Sequence, residues 1–135
     1  MKSPTEIISL MMEGDAYSRN LGMEVMYVEA GQCTLKMQVT ESMVNGFNIA
    51  HGGIAYALAD SAMAFASNAH GLQCVSIESG ISHIKKVQIH DELIATALEL
   101  NRTKRMGRYA VEVKNQQDEL VAHFKGSVMV SEILW

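Results

Sequence analysis

The sequence has little that would staple, thread or anchor it. Among 135 residues there are one proline, one tryptophan and two cysteines. Cys33 and Cys74 form no CxxC and no metal-ligand spacing, so they read as reduced, buried small hydrophobes rather than as a disulfide. No apolar run reaches membrane-spanning length. The apolar stretch from Ile7 to Met12 is short and carries Glu6 and Glu13 at its flanks, unlike a secretory leader, so a cytoplasmic protein is expected. A basic excess is also missing: the net charge is −4, which argues against a general nucleic-acid binder. His70, His83, His90 and His123 lack metal-ligand spacing and read as structural, so no metal is expected.

What is present describes one globular domain over residues 1–135. At 48% hydrophobic and 19% charged residues, it can bury a core without covalent help. Ten methionines suit an adaptable interior or an apolar ligand groove, with gap-filling accounting for most of them. The N-terminal segment, 1–20, is helical: Ser3 or Thr5 caps a helix over Pro4 to Met12, and Ile7, Ile8, Leu10 and Met11 form its apolar face. Met23 to Ala30 and Cys33 to Val39 alternate as a hairpin around Gly31. A Gly/Asn-rich loop over Met43 to Gly53 leads into an alanine-rich helix from Gly53 to Ala66, ending near Gly71. Four strands follow: Gln73 to Ile84, Asp91 to Leu100 with a possible register shift at Leu98, Arg108 to Lys114, and Glu119 to Val130. The order gives an α+β fold: an antiparallel sheet of about six strands with one long helix against it. The alanines at 55, 57, 59, 62, 64, 66 and 69 allow a curved sheet to wrap that helix closely.

Within this helix one residue is out of place. The stretch is apolar on almost every face, which predicts burial on all sides, yet Asp60 lies in its middle. A buried carboxylate costs free energy unless paired, hydrogen-bonded or protonated, which makes it a candidate for chemistry. The bland alternative is a buried aspartate satisfied by backbone or by Ser61. Just before the helix, Gly52 and Gly53 expose N–H donors where the helix dipole is positive. Donors aimed at a carbonyl stabilise the oxyanion formed when it is attacked. A carboxylate opposite can activate water or attack directly. Asn45 can orient the water or the carbonyl, and His51 can fix the loop; structural roles for both are equally open.

Spacing limits how these groups combine. Eight residues separate Gly52 from Asp60, about 12 Å along a helix. They are too far apart to serve one atom from one chain. Two central helices packed antiparallel about a two-fold axis would bring the N-terminus of one to the middle of the other, giving two equal sites.

The motif Asn45-x5-His51-Gly52-Gly53-x6-Asp60, with the alanine-rich helix after it, resembles the hot-dog-fold acyl-CoA thioesterases of the phenylacetate-pathway (PaaI) type. The Leu58-Ala-Asp60-Ser-Ala segment is similar to that branch, and the resemblance extends from about Gly14 to Val130. It implies hydrolysis of a CoA thioester without a cofactor, with Asp60 as base or nucleophile and the partner subunit's Gly52 amide on the thioester carbonyl. It also implies a homodimer, commonly doubled to a homotetramer, with Gly53 and Ser61 near the substrate and Ser76 as a polar site residue on the strand after the helix. Where relatives have an aromatic residue and a proline at the end of that strand, this chain reads His83-Ile-Lys-Lys-Val87. Lys85 and Lys86, together with Arg105 in the cluster Arg102, Lys104, Arg105 and Arg108, are read as a patch for CoA phosphates or as a solvated turn. A hot-dog hydratase or dehydratase is the alternative enzyme, but the His-Phe-Pro-Gly motif of one large branch is absent. A non-catalytic acyl-CoA-binding module or a purely structural dimerisation domain would share the fold without the reaction.

Overall fold

The computed structural model describes residues 1–135. Helix α1 (Pro4–Gly14) is started by a capping box: Ser3 Oγ accepts from the Glu6 N–H, and the Glu6 carboxylate accepts from the Ser3 N–H. The rest of the expected helical segment forms a separate short helix, α2 (Ala16–Asn20), capped by Asp15. The hairpin β1 (Glu24–Glu29) and β2 (Gln32–Gln38) turns at Gly31, whose φ of 84° favours glycine. Beyond a single 3₁₀ turn and the loop comes α3 (Gly52–Asn68), then β3 (Leu72–His83), β4 (Glu92–Arg102), β5 (Met106–Lys114) and β6 (Leu120–Leu134).

The six strands form one antiparallel sheet in the order β1-β2-β4-β5-β6-β3, with α3 packed against strands across its width. Alternation explains which face turns inward. Cys33, Leu35, Met37 and Val39 are buried, as are Leu93, Ala95 and Ala97 opposite them, and Val111, Val113 and Phe124 further across. The β4 register shift lies between Glu99 and Asn101, just beyond the Leu98 position expected from the pattern. The close approach of helix and sheet needs small residues on both sides. Ala55, Ala59, Ala62 and Ala66 supply them on α3, and Gly126 on β6 lies where a Cβ would come within 2.4 Å of the buried Met63 sulfur.

The far end of α3 is held by one amide. Asn68, 1% exposed, donates from Nδ2 to the carbonyls of Ala64 and Cys74, and its Oδ1 accepts from the Cys74 N–H and the Trp135 indole. Removing the amide leaves several buried polar groups unpaired, at about 1–3 kcal/mol each for the worst placed. Asn68→Ala is therefore expected to lower stability by about 2–4 kcal/mol in denaturant unfolding, with circular dichroism at low denaturant unchanged.

Two features of the fold remain open. Strand β3 ends the sheet order, so a twelve-residue strand has one unpaired edge, and Val75 and Ile77 on it are 58% and 52% exposed. Such a long apolar edge is rarely left bare. Helix α3 is also not buried all round, contrary to the expectation from its composition. Gly53 is exposed, and Tyr56, Asp60 and Ala64 are only partly covered. The last three recur every four residues, a single stripe that this chain does not cover.

Candidate active site

The loop before α3 is tied in place by backbone. The Val44–Ala50 bridge closes it, the His51 N–H donates to the Met43 carbonyl at 2.8 Å, and the Ala50 N–H donates to the Val87 carbonyl at 2.8 Å. The last bond joins the loop to the segment leaving β3. Between them lies a cavity of about 340 Å³ lined by Asn45, His51, Gly52, His83, Lys85 and Lys86, among others. That volume suits part of a small-molecule ligand.

Each residue at the helix entry has a distinct part. His51 is the N-cap: its Nδ1 accepts from the Gly53 N–H at 2.9 Å, so it is unprotonated on Nδ1. This bond occupies Gly53, and the Ile54 N–H donates to the His51 carbonyl at 2.9 Å. The Gly52 N–H, first of the helix, makes no hydrogen bond within the chain, and Gly52 lines the cavity. The pair of glycines is thereby divided: only Gly52 offers a donor, and Gly53 serves the cap. Asn45 Oδ1 accepts from the Phe47 N–H at 2.9 Å, making the turn itself, which leaves its Nδ2 donor for the cavity.

Asp60 does not line this cavity. It sits half-buried on the open stripe of α3. Burial pushes its carboxyl above the ordinary aspartate range, and the charge of Asp15 pushes it the same way. No hydrogen bond within the chain offsets either effect. Ser61, the expected partner or substrate contact, instead stands 2.9 Å from the buried Ser18 hydroxyl, which donates to Asp15 at 2.7 Å. Ser76 lies on β3 between Cys74, which meets Asn68 near the end of α3, and Ser79, which bonds Tyr56 near its start. A bulge between Ser76 and Glu78 puts Ser76 and Ser79 on the same face. Ser76 is thus level with the middle of α3, where Asp60 lies.

The expected basic patch is divided. Lys85 ion-pairs with Glu119. Its N–H donates to the Val121 carbonyl, while the Arg105 carbonyl accepts from Val130, nine residues further along β6. Lys85 and Lys86 are therefore about 30 Å from Arg105 within one chain. The sequence pattern suggests that they are neighbours; the antiparallel register of β3 and β6 separates them. Arg102 leaves the cluster altogether: it donates to the Ser67 carbonyl at 3.1 Å, close to the end of α3, and to Tyr109. Burial pushes the Cys33 thiol up to about 12, so it is an inert thiol. No group of three or more His, Cys, Asp or Glu side chains stands together in a metal-holding arrangement. No helix is long and apolar enough to cross a membrane.

Comparison with known proteins places this geometry. The family model described as "Thioesterase superfamily" matches residues 47–122, a span that contains His51, Gly52 and Asp60. The acyl-coenzyme A thioesterase PaaI of Escherichia coli K12 is 37% identical over 116 residues, 86% of this chain and 83% of that protein. A putative esterase of Archaeoglobus fulgidus is 35% identical over 87% of this chain and 77% of its own length. The structure of the E. coli PaaI protein from the phenylacetic acid degradation operon superposes with a TM-score of 0.94 at 33% identity, covering 97% of this chain and 95% of that one. A mutant of the phenylacetic acid degradation protein PaaI from Thermus thermophilus gives 0.82 at 33% identity, over 85% and 98%. One helix wrapped by a six-stranded curved sheet is the hot-dog fold, and the chain belongs to the thioesterase superfamily.

Proposed function

We propose that the protein is a cytoplasmic acyl-CoA thioesterase that hydrolyses a CoA thioester to the free acid and CoA, with sites assembled from two chains. The observation that carries this reading is a pair of unsatisfied groups. The Gly52 N–H is free at a helix N-terminus that lines a cavity, and Asp60, eight residues on, is a half-buried carboxylate with no hydrogen-bond partner. The first suits a developing oxyanion and the second a nucleophilic water.

In the reaction, the thioester carbonyl oxygen lies on the Gly52 N–H of one subunit. The partner's Asp60 takes a proton from water as its oxygen bonds to the carbonyl carbon. The intermediate collapses by breaking the C–S bond, and the CoA thiolate recovers the proton. Direct attack by the carboxylate would give an anhydride that water then opens, with the same products. Asn45 Nδ2 and Ser76 are the groups assigned to hold the carbonyl and the water. Three facts support a second copy: the roughly 12 Å between Gly52 and Asp60, the bare stripe of α3 and the unpaired edge of β3 beside it. A homodimer covers the stripe and edge, and pairing of dimers into a homotetramer would use apolar residues left on the outer sheet face.

Lys86 is the lysine of the cavity without an acidic partner, which supports its role as a contact for a CoA phosphate. Arg105 can join the same CoA only from the partner subunit. Lys86→Glu is expected to raise KM for CoA esters about tenfold with kcat changed less than twofold. Thiol release from a panel of aromatic and medium-chain acyl-CoAs tests the function itself. Release from at least one is expected, and a purified protein that releases thiol from none would overturn the reading.

A further inference from the structure

We infer that His83 is a catalytic residue of this chain, supplying a second N–H donor to the carbonyl oxygen held by Gly52. This histidine has no metal-ligand spacing and lies outside the motif from Asn45 to Asp60. It ends β3, and its ring lines the cavity beside Gly52, His51 and Asn45. A Cβ built on Gly52 would lie 3.1 Å from His83 Nε2 and 3.3 Å from Cε1, so the ring covers the side of Gly52 where any other residue would carry its side chain.

Distance decides whether the two donors can share an atom. The nitrogen and Cβ of one residue are about 2.5 Å apart. His83 Nε2 is therefore within about 5.6 Å of the Gly52 nitrogen. An oxygen about 2.9 Å from each of two donors bridges separations up to about 5.8 Å. The separation therefore allows a single carbonyl oxygen to accept from both. Of the five histidines, only His51 and His70 make side-chain hydrogen bonds within the chain, so both ring nitrogens of His83 are uncommitted and its Nε2-protonated tautomer offers a donor. Other titratable groups lining this cavity are His51, whose Nδ1 is taken by the Gly53 N–H, and Lys85 and Lys86. None is an acid that would turn the imidazole away from the oxygen. A donor here acts on charge that develops during attack, so it lowers the barrier more than it strengthens binding.

The inference rests on the thioesterase reading, and its test separates the two. With the acyl-CoA the wild type turns over fastest, His83→Ala is expected to lower kcat about 30- to 100-fold with KM changed less than threefold. His83→Gln, which keeps a donor, should recover at least tenfold of that loss, and His83→Phe, which keeps bulk alone, should not. A kcat within twofold of wild type in His83→Ala, or equal recovery by phenylalanine and glutamine, would overturn the role while leaving the thioesterase reading intact. A second readout needs no turnover: a non-hydrolysable ketone analogue of an acyl-CoA is titrated into the protein while the His83 ring Cε1–H and the Gly52 amide are followed by NMR. Both signals should shift and saturate together. A shift at Gly52 with none at His83 overturns the role alone. No shift at either, together with no thiol release from the panel, overturns both readings.

Discussion

Replacing Asp60 by asparagine is expected to lower kcat about 10²- to 10⁴-fold, the range for losing a general base, while the protein becomes no less stable. The second half of that expectation separates a working carboxylate from a structural one. Asp60 is half-buried, without a hydrogen-bond partner, and its carboxyl titrates above the ordinary aspartate range because of burial and then Asp15. The linkage sign follows. An acid whose folded pKa is raised binds its proton more tightly in the folded state, so its favourable contribution is present below the unfolded pKa and is lost as pH rises through the folded one. At neutral pH the ionised carboxylate opposes folding, and the neutral asparagine does not. The variant should melt at an equal or higher temperature than wild type at pH 7, with the difference vanishing toward pH 4. The wild-type kcat/KM profile should likewise lose activity on its acid side at a pH above the ordinary aspartate value. Steady-state kinetics and thermal melts across pH check both. Near-normal turnover, or a large drop in melting temperature, would mean that Asp60 is a structural group.

Gly52→Pro should cost about 10²- to 10³-fold in kcat, the effect of removing one oxyanion donor, with the fold retained. Proline normally breaks helices, but Gly52 is the first residue of α3, where its N–H has no helical partner and proline is tolerated. The preceding residue must be extended, and His51 already is, with φ −59° and ψ 137°. The substitution keeps α3 but deletes the proposed donor and also displaces the His83 ring, whose Nε2 stands 3.1 Å from the Cβ position, so the loss should reach at least the upper end of that range. Gly53→Ala is the contrast. Alanine keeps that N–H, and its Cβ would meet His51 Nδ1 at 3.0 Å, so any loss would come through a shifted cap and should be far smaller.

The parts of this site that were legible in the sequence are those encoded locally. Gly52, Gly53 and Asp60 share one helix, so their spacing fixed the geometry before any tertiary contact was known. The β1–β2 hairpin and the inward set Cys33, Leu35, Met37 and Val39 followed from period-two alternation. Burial all round α3 did not hold, because alanine suits both a chain's own sheet and a surface left for a second copy, and composition does not distinguish them. Residues whose role depends on register were harder to place. The bulge at Ile77 carries no mark in the sequence, yet it decides that Ser76 and Ser79 share a face. Arg102 read as part of a basic turn because its partners, Ser67 and Tyr109, are brought to it by α3 and β5. Lys85 and Arg105 looked like neighbours until β6 set them at opposite ends of the sheet. His83 carries no local mark of a role, because its position beside Gly52 comes from the bond between Ala50 and Val87 that closes the cavity.

The claim that each site takes Gly52 from one chain and Asp60 from the other is tested most directly by mixing two inactive variants. Asp60→Asn and Gly52→Pro proteins are combined in equal amounts, exchanged through mild denaturant and refolded, and thiol release is measured. If sites form between chains, a hybrid dimer has one site with both groups intact and one with neither. Half of randomly assorted dimers are hybrids, so activity should return to about a quarter of wild type. If Gly52 and Asp60 act within one chain, every site in the mixture lacks one of them, and activity no greater than that of the separate variants would contradict the account.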